Sequence, residues 1–507
     1  MAGTSEHPVV RTMAGTVVGR WRSGMAQFRG LRYARPPVGD LRFAAPAPPE
    51  AWDGTRQAVE FGPLPPQSGP VQAASERQTD WLTLNVSTPD PGAAGLPVLV
   101  WIPGGAYITG VGSDPSYDAA RLCAAGIVVV TLNYRVGVEG FAHLPGAPPN
   151  RGLLDQIAAL QWVRRNIERF GGNPALVTVA GQSAGAGSIA ALLTMPSARG
   201  LFRRAITHSV PGNHITPALA SQVTAALAAR LGTAPTATAL SAVDPYRLAD
   251  ELTALDADLS ADRERWGRLA ALGVAVCPEI DGDVLPETPW SALRGGRADG
   301  IELLVGHTRD EFRLFSVMAG RAHTFTDQEA QVALDLFAPQ PHGPHAYRTA
   351  RQGATASELL ETVESDALFR MPSLHLAHAN TAAGGTSHLF ELCLAATAAG
   401  GALGACHSLD VPLAFGTLDS PAGRSVFGDA PGEAVRRVSR ELGDAWVGFV
   451  TTGDPGWPAH HPDQGLTRVL DVESGTVRYP ERVSQRIWAG HPPTPFDVAG
   501  PGSVPAK

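Results

Sequence analysis

Lysine is almost missing: of 40 basic residues only Lys507, the last residue, is a lysine, and the others are arginines. A pyridoxal phosphate Schiff base, a Walker-type phosphate loop and a Ser-x-x-Lys acylase each need a lysine inside the fold, so all three are excluded. The arginine bias itself reads as genomic composition. Cysteine is scarce as well. Cys123, Cys277, Cys393 and Cys406 are scattered with no C-x-x-C pair, which leaves neither a zinc motif nor a disulfide framework. Positive charge is in deficit, with a formal net charge of −8 and no basic stripe, so the electrostatic footprint of a nucleic-acid binder is missing. A long apolar span is also lacking. The uncharged run 173–198 contains Pro174, Gln182 and Pro196 among glycines and serines, and reads as strand, turn and helix, not as a membrane span. The N-terminal stretch has no apolar core of a secretory signal, and the expected location is the cytoplasm.

What is present is a 507-residue globular composition, with glycine and proline at about a fifth of the chain, below the level of a low-complexity sequence. VVRTMAGTVVGRW reads as a hairpin, and FRGLRYARPPVGDLRF as two extended pieces around a Pro-Pro-Val-Gly turn. LPVLVWI and GIVVVTL are continuous apolar runs suited to buried parallel strands. Between GLLDQIAALQWVRRNIERFGG, whose Leu153, Ile157, Leu160, Val163 and Ile167 repeat at helical spacing, and GSIAALL lies the strand ALVTVA. Strand, helix and strand in this order predict an α/β protein with a mostly parallel sheet. Residues 214–275 and 325–385 read as helices, IELLVG and HLFELCLAAT as further strands, and VRRVSRELGDAWVGFVTTGDP as a closing helix before a Pro-rich tail. No repeat or linker divides the chain. The expected organisation is one domain over 1–490, with helical insertions near 212–275 and 310–385, and a Pro/Gly-rich tail over 491–507.

Gly181-Gln182-Ser183-Ala184-Gly185 matches G-x-S-x-G. The bare pattern carries little weight, since roughly 0.4 chance matches are expected in a chain of this composition. Its position between a strand and a helix supplies the specificity, because a nucleophile elbow lifts a serine on a strained strand-to-helix turn that only small neighbours permit. Acyl transfer from such a serine also needs donors for an oxyanion, and WIPGGAY, after an earlier strand, offers them. The N–H groups of Gly105 and Ala106 can face the pocket beside that of Ala184. In this chain order an acid and a histidine follow the serine. Spacing selects none of the ten histidines beyond Glu311, and either Asp310 or Glu311 could orient an imidazole.

Over roughly residues 9–458 these segments resemble the type B carboxylesterase family of α/β hydrolases, in particular its bacterial para-nitrobenzyl esterases. FRGLRYARPPVGDLRF is similar to the family's opening segment, WIPGGAY to its oxyanion loop, and GLLDQIAALQWVRRNIERFGGNPALVTVAGQSAGA to its longest signature. The resemblance implies the α/β-hydrolase fold: a large, mostly parallel central sheet with helices on both faces and helical insertions. It implies that the acid in LLVGHTRDEF is Glu311, that the base in GACHSLDVPLAFG is His407, and that Ser209 in RRAITHS supports the acid. With Ser183 as nucleophile and Gly105, Ala106 and Ala184 as oxyanion donors, this is a catalytic set for small-molecule carboxylic esters that works through an acyl-enzyme. It requires no cofactor and no metal, and no partner beyond the substrate is implied.

Four departures from the family pattern stand out. Pro65 and Trp81 replace its usual cysteine pair, Gln182 replaces a glutamate before the serine, Asp410 replaces a glutamate after the histidine, and Pro103 replaces histidine or tyrosine. Gln182, Ser209 and Asp410 are expected to sit behind the reacting groups, Gln182 removing a charge beside them. The loop 67–80 has no tryptophan, so an aromatic cation-binding gorge is not expected. Two rivals remain at this point: an acyltransferase or thioesterase using the same triad, and a non-catalytic binding member of the fold. Acyl and alcohol specificity and oligomeric state are not legible in the sequence.

Overall fold

The computed structural model describes residues 7–69, 78–298, 300–461 and 463–498. Part of the loop 67–80 and the end of the tail, including Lys507, lie outside the described residues. The strands are β1 (Val9–Arg11), β2 (Thr16–Val18), β3 (Arg20–Arg22), β4 (Met25–Arg32), β5 (Thr55–Gln57), β6 (Thr83–Thr88) and β7 (Leu96–Ile102). They continue with β8 (Val128–Leu132), β9 (Gly172–Gln182), β10 (Arg204–His208), β11 (Glu302–Thr308), β12 (Ser387–Leu392), β13 (Leu466–Leu470) and β14 (Gly475–Arg478).

Among the described residues eleven strands form one sheet in the order β14-β13-β12-β11-β10-β9-β7-β8-β6-β4-β3, and β1, β2 and β5 form a small second sheet. From β8 through β7, β9, β10, β11 and β12 to β13 every pairing is parallel. The flanks β14, β6, β4 and β3 pair antiparallel. The central runs are apolar along their length because helices cover both faces, so both sets of alternating side chains are buried. Val98, Val100 and Ile102 face one core with Val177, Val179, Leu303 and Val305. Leu99, Trp101, Ala180, Ile206, Leu304 and Phe390 face the other, where Trp446 and Phe449 cover them.

Helix α1 (Arg151–Asn166) follows the predicted periodicity, and α2 (Ala184–Leu192) follows the serine turn. Between β10 and β11 the chain makes helices that include α3 (Pro217–Arg230) and α4 (Pro245–Leu259). Between β11 and β12 come α5 (Arg313–Met318), α6 (Asp327–Phe337), α7 (Ala356–Ser365) and α8 (Met371–Ala382). Helices α6 and α7 both start on capping boxes, Thr326 with Glu329 and Thr355 with Glu358, which satisfy otherwise orphaned N–H groups. Helix α9 (Asp410–Phe415) follows the histidine loop, and α10 (Glu433–Thr452) packs across the second core.

Two expectations fail. The segment after Pro-Pro-Val-Gly is a short 3-10 turn, Gly39–Leu41, and not a second extended piece. Arg42 pulls it onto the body of the protein by bonding Glu139 and the carbonyls of Ser241 and Val243. The closing helix does not close the chain, because β13 returns to pair with β12 and β14 folds back on it. Strands β6 and β10 are not signalled by the sequence, since short strands with polar residues give little periodic signal.

Candidate active site

Ser183 stands between β9 and α2 with φ 56° and ψ −127°, a left-handed backbone that a non-glycine residue holds only when its surroundings enforce it. The neighbouring glycines are dictated by contact. A Cβ on Gly181 would lie 2.7 Å from the Gly185 carbonyl carbon, and one on Gly185 would lie 2.1 Å from the Ile102 oxygen. The G-x-S-x-G spacing is therefore what lets the turn pack against the end of β7. The Ser183 N–H donates to the His208 carbonyl at 2.9 Å, tying the turn to β10.

The loop after β7 is equally constrained. A Cβ on Gly104 would meet the Gln182 carbonyl at 2.6 Å, and Gly105 has φ +120°. Ala106 and Tyr107 follow with φ 54° and 64°, so the chain doubles back beside the serine. Gly105, Ala106, Gln182, Ser183, Ala184 and His407 line one cavity of about 660 Å³. Its walls are largely apolar, with Phe312 and Phe315 at α5, Leu360 on α7, and Leu368 and Phe369 on the π-helical turn Asp366–Arg370.

His407, on the wall of that cavity, meets Glu311. His407 Nδ1 lies 2.5 Å from Glu311 Oε2, and the Glu311 side chain is fully buried. Glu311 Oε1 accepts from Ser209 Oγ at 2.6 Å and from the Thr308 N–H at 2.8 Å. Ser209 is itself held at φ 54°, its N–H donating to the Gly306 carbonyl at 2.7 Å. Phe369 packs on the imidazole with ring centres 4.3 Å apart.

The choice that spacing left open between Asp310 and Glu311 is resolved by direction. Asp310 turns away from the imidazole: its Oδ2 accepts from the Ala405 N–H at 2.9 Å, and its own N–H donates to the Ala405 carbonyl at 2.9 Å. Burial opposes its ionisation, but bonds from Arg309 and from the Ala405 N–H hold the Asp310 carboxyl below its ordinary value. Asp310 thus staples the histidine loop while Glu311 faces the ring. Cys406, beside His407, is no competing nucleophile, since burial pushes its thiol up to about 12.

Gln182 and Asp410 occupy different places. Gln182 Nε2 is 3.0 Å from His407 Nε2, so it touches the ring directly. Asp410 does not reach His407. Its Oδ2 lies 2.8 Å from Nδ1 of His208, a residue the sequence reading had not singled out. Pro103 leaves the loop intact, its carbonyl accepting from Tyr134 Oη at 2.8 Å. Pro65 and Trp81 are buried, and all four cysteines are buried and unpaired. Among the described residues no group of three or more His, Cys, Asp or Glu side chains could hold a metal ion, and no helix is long and apolar enough to cross a membrane.

Comparison with known proteins bears on the family and the fold. A sequence model of the carboxylesterase family matches residues 6–470. A para-nitrobenzyl esterase of Bacillus subtilis is 37% identical over 94% of this chain and 97% of its own. A phenmedipham hydrolase of Pseudarthrobacter oxydans is 33% identical over 94% of this chain and 99% of its own. Among solved structures, a thermophilic para-nitrobenzyl esterase superposes with a TM-score of 0.84 at 34% identity, covering 95% of this chain and 99% of that one. A Geobacillus stearothermophilus carboxylesterase also gives 0.84, at 32% identity with the same coverage.

Proposed function

The chain belongs to the carboxylesterase family and has the α/β-hydrolase fold, and from its hydrolysis of carboxylic esters we infer that Ser183, His407 and Glu311 carry the reaction. Ser183 Oγ attacks the ester carbonyl while His407 Nε2 takes its proton. Glu311 holds the ring with its proton on Nδ1, and the N–H groups of Gly105, Ala106 and Ala184 receive the oxyanion. Collapse returns the proton to the departing alcohol. Water then repeats the sequence on the acyl-enzyme, and no cofactor is needed.

The observation that carries this reading is the chain of bonds Ser209–Glu311–His407, which ends in the cavity lined by Ser183 and the glycine loop. The apolar walls suit small esters with an aromatic or alkyl part. Relatives named as esterases and hydrolases favour water over an acyl-accepting alcohol or amine. The reading extends to one catalytic unit over 1–490 acting in the cytoplasm. The test is covalent trapping with a fluorophosphonate, which expels fluoride as it phosphonylates an activated serine. Mass spectrometry should find the single added group on the Ser183 peptide and none in Ser183→Ala. Labelling at another serine with turnover intact in Ser183→Ala would refute the assignment.

A further inference from the structure

His208 is the last residue of β10, is fully buried, and has three connections. Its carbonyl accepts the Ser183 N–H at 2.9 Å. The next residue, Ser209, donates to Glu311 at 2.6 Å. Its ring lies 2.8 Å from Asp410, the first residue of α9, which begins just after His407. One residue therefore contacts or adjoins each of the three segments that carry Ser183, Glu311 and His407.

The proton positions on this ring follow from its partners. Trp446 Nε1 can only donate, and it lies 3.2 Å from His208 Nε2, so that nitrogen presents its lone pair. A neutral imidazole must then carry its hydrogen on Nδ1, facing Asp410 Oδ2. The contact is bent away from hydrogen-bond linearity, and among the described residues neither Nδ1 nor the Asp410 oxygens have another hydrogen-bond partner. In a site shut off from water, each group is therefore held to the other by the lack of an alternative. Phe390 and Trp446 set their rings edge-on to the imidazole, at 4.8 and 5.3 Å, and block its rotation.

We propose that His208 is a positioning residue that fixes the nucleophile and the base relative to one another, through its carbonyl on the Ser183 side and through its ring and Asp410 on the His407 side. The inference rests on the triad assignment above. Misplacing a reacting group by a fraction of an ångström slows chemistry more than it weakens binding. His208→Leu keeps the bulk and removes both polar contacts. His208→Gln restores them, since its amide oxygen accepts from Trp446 and its N–H donates to Asp410.

The test measures kcat and KM on an activated nitrophenyl ester, with thermal melts, for both variants, for Asp410→Ala and for Ser183→Ala. His208→Leu is expected to lose about 10- to 100-fold in kcat with KM within about twofold of the parent, and His208→Gln to recover most of the loss. Unchanged kcat in His208→Leu, or a glutamine variant no better than leucine at equal folded fraction, overturns the proposal. If His208→Leu does not fold, Asp410→Ala carries the same expectation. Nitrogen-15 shifts of the parent protein need no substitution, and a hydrogen found on Nε2 of His208 overturns the proposal. Turnover surviving in Ser183→Ala would instead refute the triad, which separates the two failures.

Discussion

Gln182 Nε2 stands 3.0 Å from His407 Nε2, the nitrogen that takes the Ser183 proton in the proposed mechanism. With Nδ1 committed to Glu311, the amide N–H donates into the lone pair of the resting base. Such a bond competes with the serine hydroxyl for one acceptor. The side chain before the nucleophile thus acts on the base itself, a closer role than removing a charge from its vicinity.

Gln182→Glu replaces that donor with an acceptor that favours the charged ring. The base is then protonated more readily, and activity is lost at higher pH than in the parent. The acid-limb midpoint of kcat/KM should rise, and a midpoint unmoved or lowered would show that residue 182 does not tune the base.

His407→Ala should abolish the burst of alcohol from an activated ester, because acylation already requires proton removal from Ser183. A loss on the order of 10⁴-fold or more in kcat is expected. A preserved burst here, with loss in another histidine variant, would reassign the base.

Ser209→Ala leaves Glu311 Oε1 with only the Thr308 N–H. The carboxyl group loses a bond that aims it, so kcat should fall about tenfold with little change in KM. Steady-state kinetics on one ester series checks the split.

Glu391 on β12 is fully buried, and among the described residues neither carboxyl oxygen has a hydrogen-bond partner. Burial, reinforced by Glu481, pushes its carboxyl up to about 8 against the opposing pull of Arg370. The folded state therefore holds a proton that the unfolded chain releases near pH 4.5, and stability declines as pH rises from there to about 8. Glu391→Gln removes this penalty. Urea titrations should find the variant gaining on the parent across that window, at up to about 1.4 kcal/mol per pH unit, and a constant difference with pH would contradict the cause.

Much of the catalytic frame was legible because sterics wrote it into residue types. Gly181, Gly185 and Gly104 each stand where a Cβ would strike backbone, so the serine turn and the loop beside it show as glycine spacing. The acid was not legible from the residues alone, because Asp310 and Glu311 are adjacent and differ only in which way the turn after β11 throws them. The link from His208 to Asp410 was hidden for another reason: its partners come from β10, α9 and α10, which only the folded sheet brings together. Strand β13 was missed because a closing helix and a proline-rich stretch precede it, and its pairing depends on β12 offering an open edge.

That last strand also sets an order of events during synthesis. Ser183 leaves the ribosome early, but its partners wait for β11 and the loop after β12, and parallel pairing between distant segments is slow to form. Until β13 emerges, β12, buried along its whole length in the finished protein, carries an unpaired row of backbone donors and acceptors. A half-made chain thus exposes an open strand edge just when its reacting groups are complete, and pairing with β13 closes that edge.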